Sequence, residues 1–221
     1  MVTSPTTAGP SARGTTPGSG ATKRLPADRR RQQLLDVSLT LFAERGFNAT
    51  TMDDIAEAAG VTKPLLYQHF VSKRALYLEL VESVAVTMLE AVGKAVAAAE
   101  SPRQQVEGGF AAYFDLVVTH EHAFQLLFGS NVPNDPELSR AVRHVEDRLA
   151  EAIDVLIDAG LDEDHRLLLA YAMVGMAEGA SRHFLATRDP DRGDPDGSEA
   201  LRLARRLGDM AWAGLRSVHR D

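Results

Sequence analysis

Residues 62–73, TKPLLYQHFVSK, carry the side chains of this chain that are best suited to contact a polyanion. Leu66 and Phe70 are four residues apart, so on a helix they share one face and point inward. The opposite face then presents Lys63, Leu65, Tyr67, Gln68 and His69. A short helix with this outward set is typical of one that enters the major groove of DNA.

A second short helix precedes this one, and a glycine turn joins the two. Thr51 is a good N-cap, and Asp54 supplies the acidic end of a capping box. Gly60 can adopt the positive φ that such a turn requires. Thr62 is placed to cap the following helix, whose first turn tolerates Pro64 because an N–H there has no helical partner to lose. The pattern predicts a helix-turn-helix.

The surrounding sequence resembles the TetR family of bacterial transcription regulators. The resemblance covers residues 34–81 and rests on four ordered pieces: LFAERGF, TMDDIAEAAGV, LYQHF and SKRALY. It implies a homodimer that binds a palindromic DNA operator with its two heads. The family's DNA-contact positions fall on Lys63, Pro64, Tyr67, His69 and Lys73. Thr51 and Thr62 would combine capping with a phosphate contact.

The resemblance also assigns roles within this set. Tyr67, His69 and Lys73 are expected to bind phosphates and to set the helix in the groove. Lys63 is the candidate for a base contact, such as one to the O6 and N7 atoms of guanine. Leu65 is expected to touch a thymine methyl group or nothing.

The charge distribution fits a DNA-binding head on a larger body. Residues 1–74 carry ten Lys and Arg against six Asp and Glu, a net charge of +4, whereas residues 75–221 carry 14 against 25, a net charge of −11. Such a division keeps a nucleic-acid surface localised. The absence of cysteine excludes disulfides, thiolate metal sites and cysteine nucleophiles. No metal-ligand set, phosphate loop or catalytic group is visible, so neither a cofactor nor enzyme activity is expected.

A basic stretch leads into the first helix: Lys23, Arg24, Arg29, Arg30 and Arg31. Two interpretations stay open. The stretch is an arm that contacts phosphates or a minor groove, or it is a solvated tail that helps solubility.

The periodicity predicts an all-α protein with an N-terminal three-helix head and a C-terminal helical body. We expect a disordered tail over residues 1–24, a helix-turn-helix domain over 25–72, and a ligand-binding and dimerisation domain over 73–221. The first helix should span about 28–45, and the body helices about 73–99, 102–119, 121–129, 135–159, 163–187 and 197–218. The lack of a long apolar run predicts a cytoplasmic protein without a membrane span.

The last two helices are candidates for dimerisation. On the first of them Ala172, Gly175 and Gly179 lie about one turn apart, and small residues let helices approach closely. The second carries an apolar stripe of Leu201, Ala204, Leu207, Ala211 and Leu215. The alternative is that both helices pack only inside their own subunit.

Aromatic and methionine side chains are concentrated in the body, where they suit an apolar cavity between helices. The candidates are Phe110, Tyr113, Phe114, Phe124, Phe128, Met173 and Met176. For each of them the alternative is ordinary core. The body also resembles, more loosely, the TetR-type regulators of fatty-acid synthesis in actinobacteria, through AYFDLVVTHEHAFQLLF, NVPNDPELSRAVR and the closing AWAGL. That likeness implies a long-chain acyl-CoA effector, and a multidrug-type or other apolar effector fits equally well.

Taken together, these patterns predict a ligand-responsive repressor that binds double-stranded DNA as a homodimer. The alternative is a ligand-binding or protein-interaction module whose head no longer binds DNA.

Overall fold

The computed structural model describes residues 26–129, 133, 135–157, 160–187 and 197–218. The predicted tail over residues 1–24 lies outside this part. Within it the chain forms only helices, which confirms the predicted all-α class. They are α1 (Ala27–Ala49), α2 (Met52–Ala58), α3 (Lys63–His69), α4 (Lys73–Ala97), α5 (Pro102–Thr119), α6 (Glu121–Phe128), α7 (Pro136–Asp154), α8 (Glu163–Thr187) and α9 (Ser198–Leu215). None of these helices is both long and apolar enough to pass through a membrane.

The three helices α1–α3, called the head below, close over an aromatic cluster. Gly46 has a φ of 80°, so it interrupts the regular part of α1 and turns Phe47 inward. The rings of Phe42 and Phe47 pack against Tyr77 of α4, with centroids 5.5 and 5.2 Å from the Tyr77 ring. Burial of aromatic side chains of this size stabilises a fold by roughly 1.5–3 kcal/mol each. The start of α4 is therefore part of the head's core.

Tyr77 also ties the head to the helices α4–α9, called the body below. Its side chain is 1% exposed, and its hydroxyl donates a hydrogen bond to the Leu126 carbonyl of α6 at 3.1 Å. Burial raises the pKa of this phenol above its ordinary value, so the hydroxyl stays protonated and remains a donor.

Two helices of the body differ from their predicted form. We predicted that α7 extends to residue 159, and this is wrong, because the helix ends at Asp154. The chain tightens there into a turn in which Leu156 N donates to the Ile153 carbonyl, and Ile157 becomes buried. The apolar residues of this turn keep the spacing of the helix in the sequence, although the helix itself has ended.

The apolar stripe on α9 also differs from its predicted role. Ala204 and Ala211 pack on α5 of the same subunit, and they are only 1% and 6% exposed. Between them lies Gly208, where an added Cβ would come within 3.4 Å of the Glu107 Cα. The interpretation of this stripe as a dimer surface is therefore wrong for these two alanines, since the small residues serve a close approach inside the subunit.

Candidate DNA-binding surface and ligand cavity

The outer face of α3 presents polar side chains to solvent. Leu66 and Phe70 anchor the helix and are buried, at 0% and 2% exposed, as predicted. On the opposite face Lys63 and Gln68 are exposed, and Tyr67 is 42% exposed. Within the part of the chain that the structure describes, the Tyr67 hydroxyl has no hydrogen-bond partner. It is therefore available to an external acceptor.

The other residues of α3 that we predicted to contact DNA differ in their exposure to solvent. Thr62 and Pro64 are exposed at the start of the helix, whereas Leu65 and His69 are half-buried. Thr62 occupies the N-cap position, but its side chain makes no capping hydrogen bond, so the predicted cap is wrong. Among the described residues its hydroxyl has no partner, so it is available to another acceptor.

Thr51 caps α2 with the predicted capping box. Its hydroxyl oxygen accepts from the Asp54 N–H at 3.1 Å, and both its own N–H and its hydroxyl donate to the Asp54 carboxylate, at 2.8 and 2.6 Å. The Thr51 hydroxyl holds the pKa of Asp54 below its ordinary value. Because these groups already satisfy one another, a phosphate contact by Thr51 would compete with the cap.

Lys63 is held by a neighbouring helix. Its ammonium nitrogen lies 2.7 Å from a carboxylate oxygen of Asp53 on α2, and this hydrogen bond raises the lysine pKa. Both side chains are more than half exposed, so the pair adds little to stability. Lys63 can leave Asp53 at low cost when a DNA base offers an acceptor.

Lys73 has a structural role that the sequence did not indicate. Its ammonium donates to the backbone carbonyls of Phe47 and Thr50, at 2.6 and 2.7 Å, and it lies 4.3 Å from the centroid of the Phe47 ring. Partial burial lowers its pKa. Lys73 thereby fixes the junction between α1 and α2, and its phosphate contact stays a prediction.

Arg31 connects three helices of the molecule. Its guanidinium forms a bidentate pair with Glu79 of α4, through Nε at 2.9 Å and Nη2 at 2.5 Å. Its Nη1 donates to the His69 carbonyl at the end of α3 at 2.8 Å, and the guanidinium carbon lies 4.4 Å from the Phe70 ring centroid. Arg31 is thus not part of a free basic arm, because its donors hold the end of α3 against α4.

A cavity of about 390 Å³ lies in the body between α4, α5, α7, α8 and α9, near the ends of α4 and α9. Its walls are mainly aliphatic and aromatic, which suits an apolar ligand. Of the seven predicted residues, Phe110, Tyr113 and Met173 line it, and Phe114, Phe124, Phe128 and Met176 do not. Phe124 packs between Tyr113 and Phe128, with ring centroids 5.2 and 5.9 Å away, and Phe114 is fully buried.

Most of the cavity wall was missed by sequence reasoning. The unpredicted lining residues are Val92, Val96, Pro102, Gln105, Val106, Gly109, Leu149, Ile153, Leu156, Ile157, Val174, Ala177, Trp212, Leu215, Arg216 and Val218. Aliphatic residues at helical spacing carry no signal that separates the wall of a cavity from solid core.

An apolar surface on α8 has no cover within the subunit. Leu168 and Tyr171 are 66% and 41% exposed, and the predicted small residues Ala172, Gly175 and Gly179 are exposed beside them. A Cβ added at either glycine would meet nothing within 4 Å. Apolar surface at glycines that leave room for a close approach is typical of a helix that packs on a partner.

Comparison with known proteins identifies the class. Residues 34–80 match the family described as bacterial regulatory proteins, tetR family. The chain is 30% identical over 203 residues to the HTH-type transcriptional activator FasR of Mycolicibacterium smegmatis, an alignment that covers 91% of this chain and 90% of FasR. The protein therefore belongs to the TetR family of transcription regulators and is not an enzyme.

Two further likenesses bear on function. An HTH-type transcriptional repressor of Mycobacterium tuberculosis is 30% identical over 142 residues, which cover 62% of this chain and 68% of the repressor. The fold also matches the FadR regulator of Bacillus subtilis, solved in complex with stearoyl-CoA, with a TM-score of 0.69 at 15% identity, over 85% of this chain and 99% of FadR. This last likeness is one of fold alone.

Proposed function

We propose that this protein is a homodimeric repressor that binds a palindromic operator and responds to an apolar effector. In this proposal residues 25–72 form the DNA-binding domain, and residues 73–221 form the domain for ligand binding and dimerisation. A dimer bound across a promoter palindrome would block transcription, and an effector that weakens this binding would restore it.

The outer face of α3 supports the DNA-binding part. Among the described residues the hydroxyls of Thr62 and Tyr67 have no partner, and they are exposed with the ammonium of Lys63 at the start and along the outer face of α3. We assign phosphate contacts to Thr62, Tyr67 and His69, and a base contact to Lys63. Lys63 would exchange Asp53 for a base acceptor, so it gains a hydrogen bond without leaving a buried group unpaired.

The uncovered face of α8 supports the dimer. Leu168, Tyr171, Gly175 and Gly179 would pack on their copies in the second subunit around a two-fold axis. The two α3 helices would then meet successive major grooves of a palindrome, about 34–36 Å apart.

The observation that carries the proposal is that α4 belongs to both sites. At its far end Val92 and Val96 line the cavity. Near its start Glu79 holds Arg31, which in turn holds the His69 carbonyl at the end of α3. An effector that fits the cavity better in one position of α4 must shift the population towards that position. The head then moves with α4.

The effector is proposed to be a long-chain acyl-CoA. The resemblance of the body to TetR-type regulators of fatty-acid synthesis and the FadR complex with stearoyl-CoA support this compound class. The apolar wall of the cavity is consistent with an acyl chain and equally with other apolar compounds.

Fluorescence anisotropy with the DNA upstream of the protein's own gene tests the proposal. We expect nanomolar binding that one class of compound weakens, out of a panel of acyl-CoAs, fatty acids and cationic drugs. A promoter fused to a reporter should be silenced by the protein, and activation would contradict the repressor role. Absence of binding to any promoter DNA would favour the alternative, a module that no longer binds DNA.

A further inference from the structure

Three polar side chains on the cavity wall have no partner among the described residues. Gln105 of α5 lines the cavity together with Trp212 and Arg216 at the end of α9. Within the described residues, none of these side chains makes a hydrogen bond or an ion pair. The remaining polar side chain on the described part of the wall is Tyr113, which is buried and whose hydroxyl lies close to Ser181. On the described part of the wall, the polar groups that are open to a ligand are therefore those of Gln105, Trp212 and Arg216.

The three side chains lie towards one end of the cavity. Trp212 and Arg216 are four residues apart and share one face of α9, where the Arg216 N–H bonds to the Trp212 carbonyl at 3.1 Å. Gln105 lies in the first turn of α5. Tyr113 follows it eight residues later, about 12 Å further along the helix axis. The cavity thus has a polar end at Gln105, and its apolar section extends from there towards Tyr113.

The chemistry of this end favours a negative charge. An arginine carries a positive charge, and its guanidinium and an indole are both hydrogen-bond donors only. No carboxylate is found among the described residues that line the cavity, so no acid on the wall neutralises Arg216. Guanidinium groups bind carboxylates and phosphates with two parallel hydrogen bonds.

We propose that Gln105, Trp212 and Arg216 bind the anionic group of an amphipathic effector, either a carboxylate or a phosphate ester, while its apolar chain extends towards Tyr113. This inference rests on the proposed function, because it assigns the polar end of the same ligand. Arg216 supplies the charge, and Gln105 and Trp212 supply further hydrogen bonds to the acceptor oxygens.

Trp212 is the single tryptophan of the chain, so its fluorescence reports on this end of the cavity. We would titrate the full-length protein with dodecanoate, dodecanoyl-CoA and 1-dodecanol, and follow binding both by fluorescence and by calorimetry. The test variant is Arg216→Gln. The matched control is Arg206→Gln, which removes an exposed arginine of α9 that does not line the cavity.

We expect Arg216→Gln to weaken binding of the anionic compounds at least tenfold and to leave 1-dodecanol within twofold of wild type, while Arg206→Gln changes neither. A loss for dodecanoyl-CoA alone identifies the phosphates as the bound anion, and a loss for dodecanoate as well identifies the carboxylate. Equal losses for charged and neutral compounds, or no loss at all, would overturn the inference.

The outcome for 1-dodecanol separates this inference from the proposed function. If the alcohol binds wild type as tightly as dodecanoate and dodecanoyl-CoA do, the anion site is refuted and the apolar cavity survives. If none of the three compounds binds, the proposed ligand class is refuted, and the anion site with it.

Discussion

The head and the body are both helical, but they differ in how their helices are specified. The head helices α2 and α3 have seven residues each, a length that is unstable in isolation. Their ends are therefore fixed by local devices, such as the capping box at Thr51 and the positive φ of Gly60. The body helices α4 and α8 have 25 residues each and are held by packing along their length.

This difference explains why the class of the protein is visible in the head and its ligand is not visible in the body. Caps and turns require particular residue types at fixed positions, so they leave a specific sequence pattern. Packing accepts many apolar side chains of suitable volume. If the two regions divide the work in this way, substitutions in each should have separable effects on DNA affinity and on ligand response.

The largest effect is expected at the dimer face that we propose on α8. Gly179→Leu places a large side chain on the exposed face of α8, at a position where an added Cβ meets nothing within 4 Å. We expect monomers in light scattering and roughly a 100-fold loss of operator affinity, since binding by two linked heads is lost. The control is Gly93→Leu, the same change at an exposed glycine of α4 with equally open surroundings. A Gly179→Leu dimer with wild-type DNA affinity would exclude α8 from the interface.

The next effect should be confined to ligand response. Val174→Phe adds volume inside the cavity, so we expect effector affinity to fall at least tenfold, about 1.4 kcal/mol, while operator affinity without effector is retained. Phe128→Trp is the control, because Phe128 lies away from the cavity wall. Calorimetry measures the effector affinity of both variants. Loss of response in the Phe128 variant alone would place the ligand elsewhere in the body.

A smaller effect is expected at the connection between the two regions. Glu79→Gln removes the charge that pairs with Arg31. Because both side chains are more than a third exposed, we expect the free energy of unfolding to fall by about 1 kcal/mol. Operator affinity should fall about fivefold, and the effector should change it less than in wild type. Glu90→Gln is the control, since among the described residues Glu90 pairs only with Lys94 of the same helix. If both variants had the same operator affinity and the same response to effector, the pair of Arg31 and Glu79 would not connect the body to the head.

The smallest effect is expected on the DNA-binding face itself. Tyr67→Phe removes a hydroxyl that has no partner in the described structure, so the melting temperature should not change. Operator affinity should fall by about 1 kcal/mol, the scale of one hydrogen bond. Anisotropy with cognate and unrelated DNA should show similar losses, because phosphate contacts carry no sequence information. A loss on the operator only would instead make Tyr67 a base contact.

The sequence predicted local features well because neighbouring residues determine them. The bounds of α5 and α8 agree with the structure, and Gly60 adopts the expected positive φ. Contacts between distant residues were missed. Lys73 and Arg31 both look like surface cations in sequence, but their partners Phe47 and Glu79 are 26 and 48 residues away.

The cavity was predicted only in part for a related reason. Phe110 and Tyr113 line it, but Phe124 and Phe128, with the same apolar character, pack on one another beside it. Whether an aromatic ring borders a cavity depends on which helices meet there. The early end of α7, which brings Ile157 to the wall, is one such determinant, and no residue in the sequence marks it.

We propose that ligand and DNA act on each other through α4, and the thermodynamic reciprocity of the two binding reactions is the sharpest test of this coupling. Operator affinity should be measured with and without a saturating effector, and effector affinity with and without operator. We expect both to change by the same factor, between about 5-fold and 150-fold. Operator affinity that stays the same when the cavity is filled would contradict the claim.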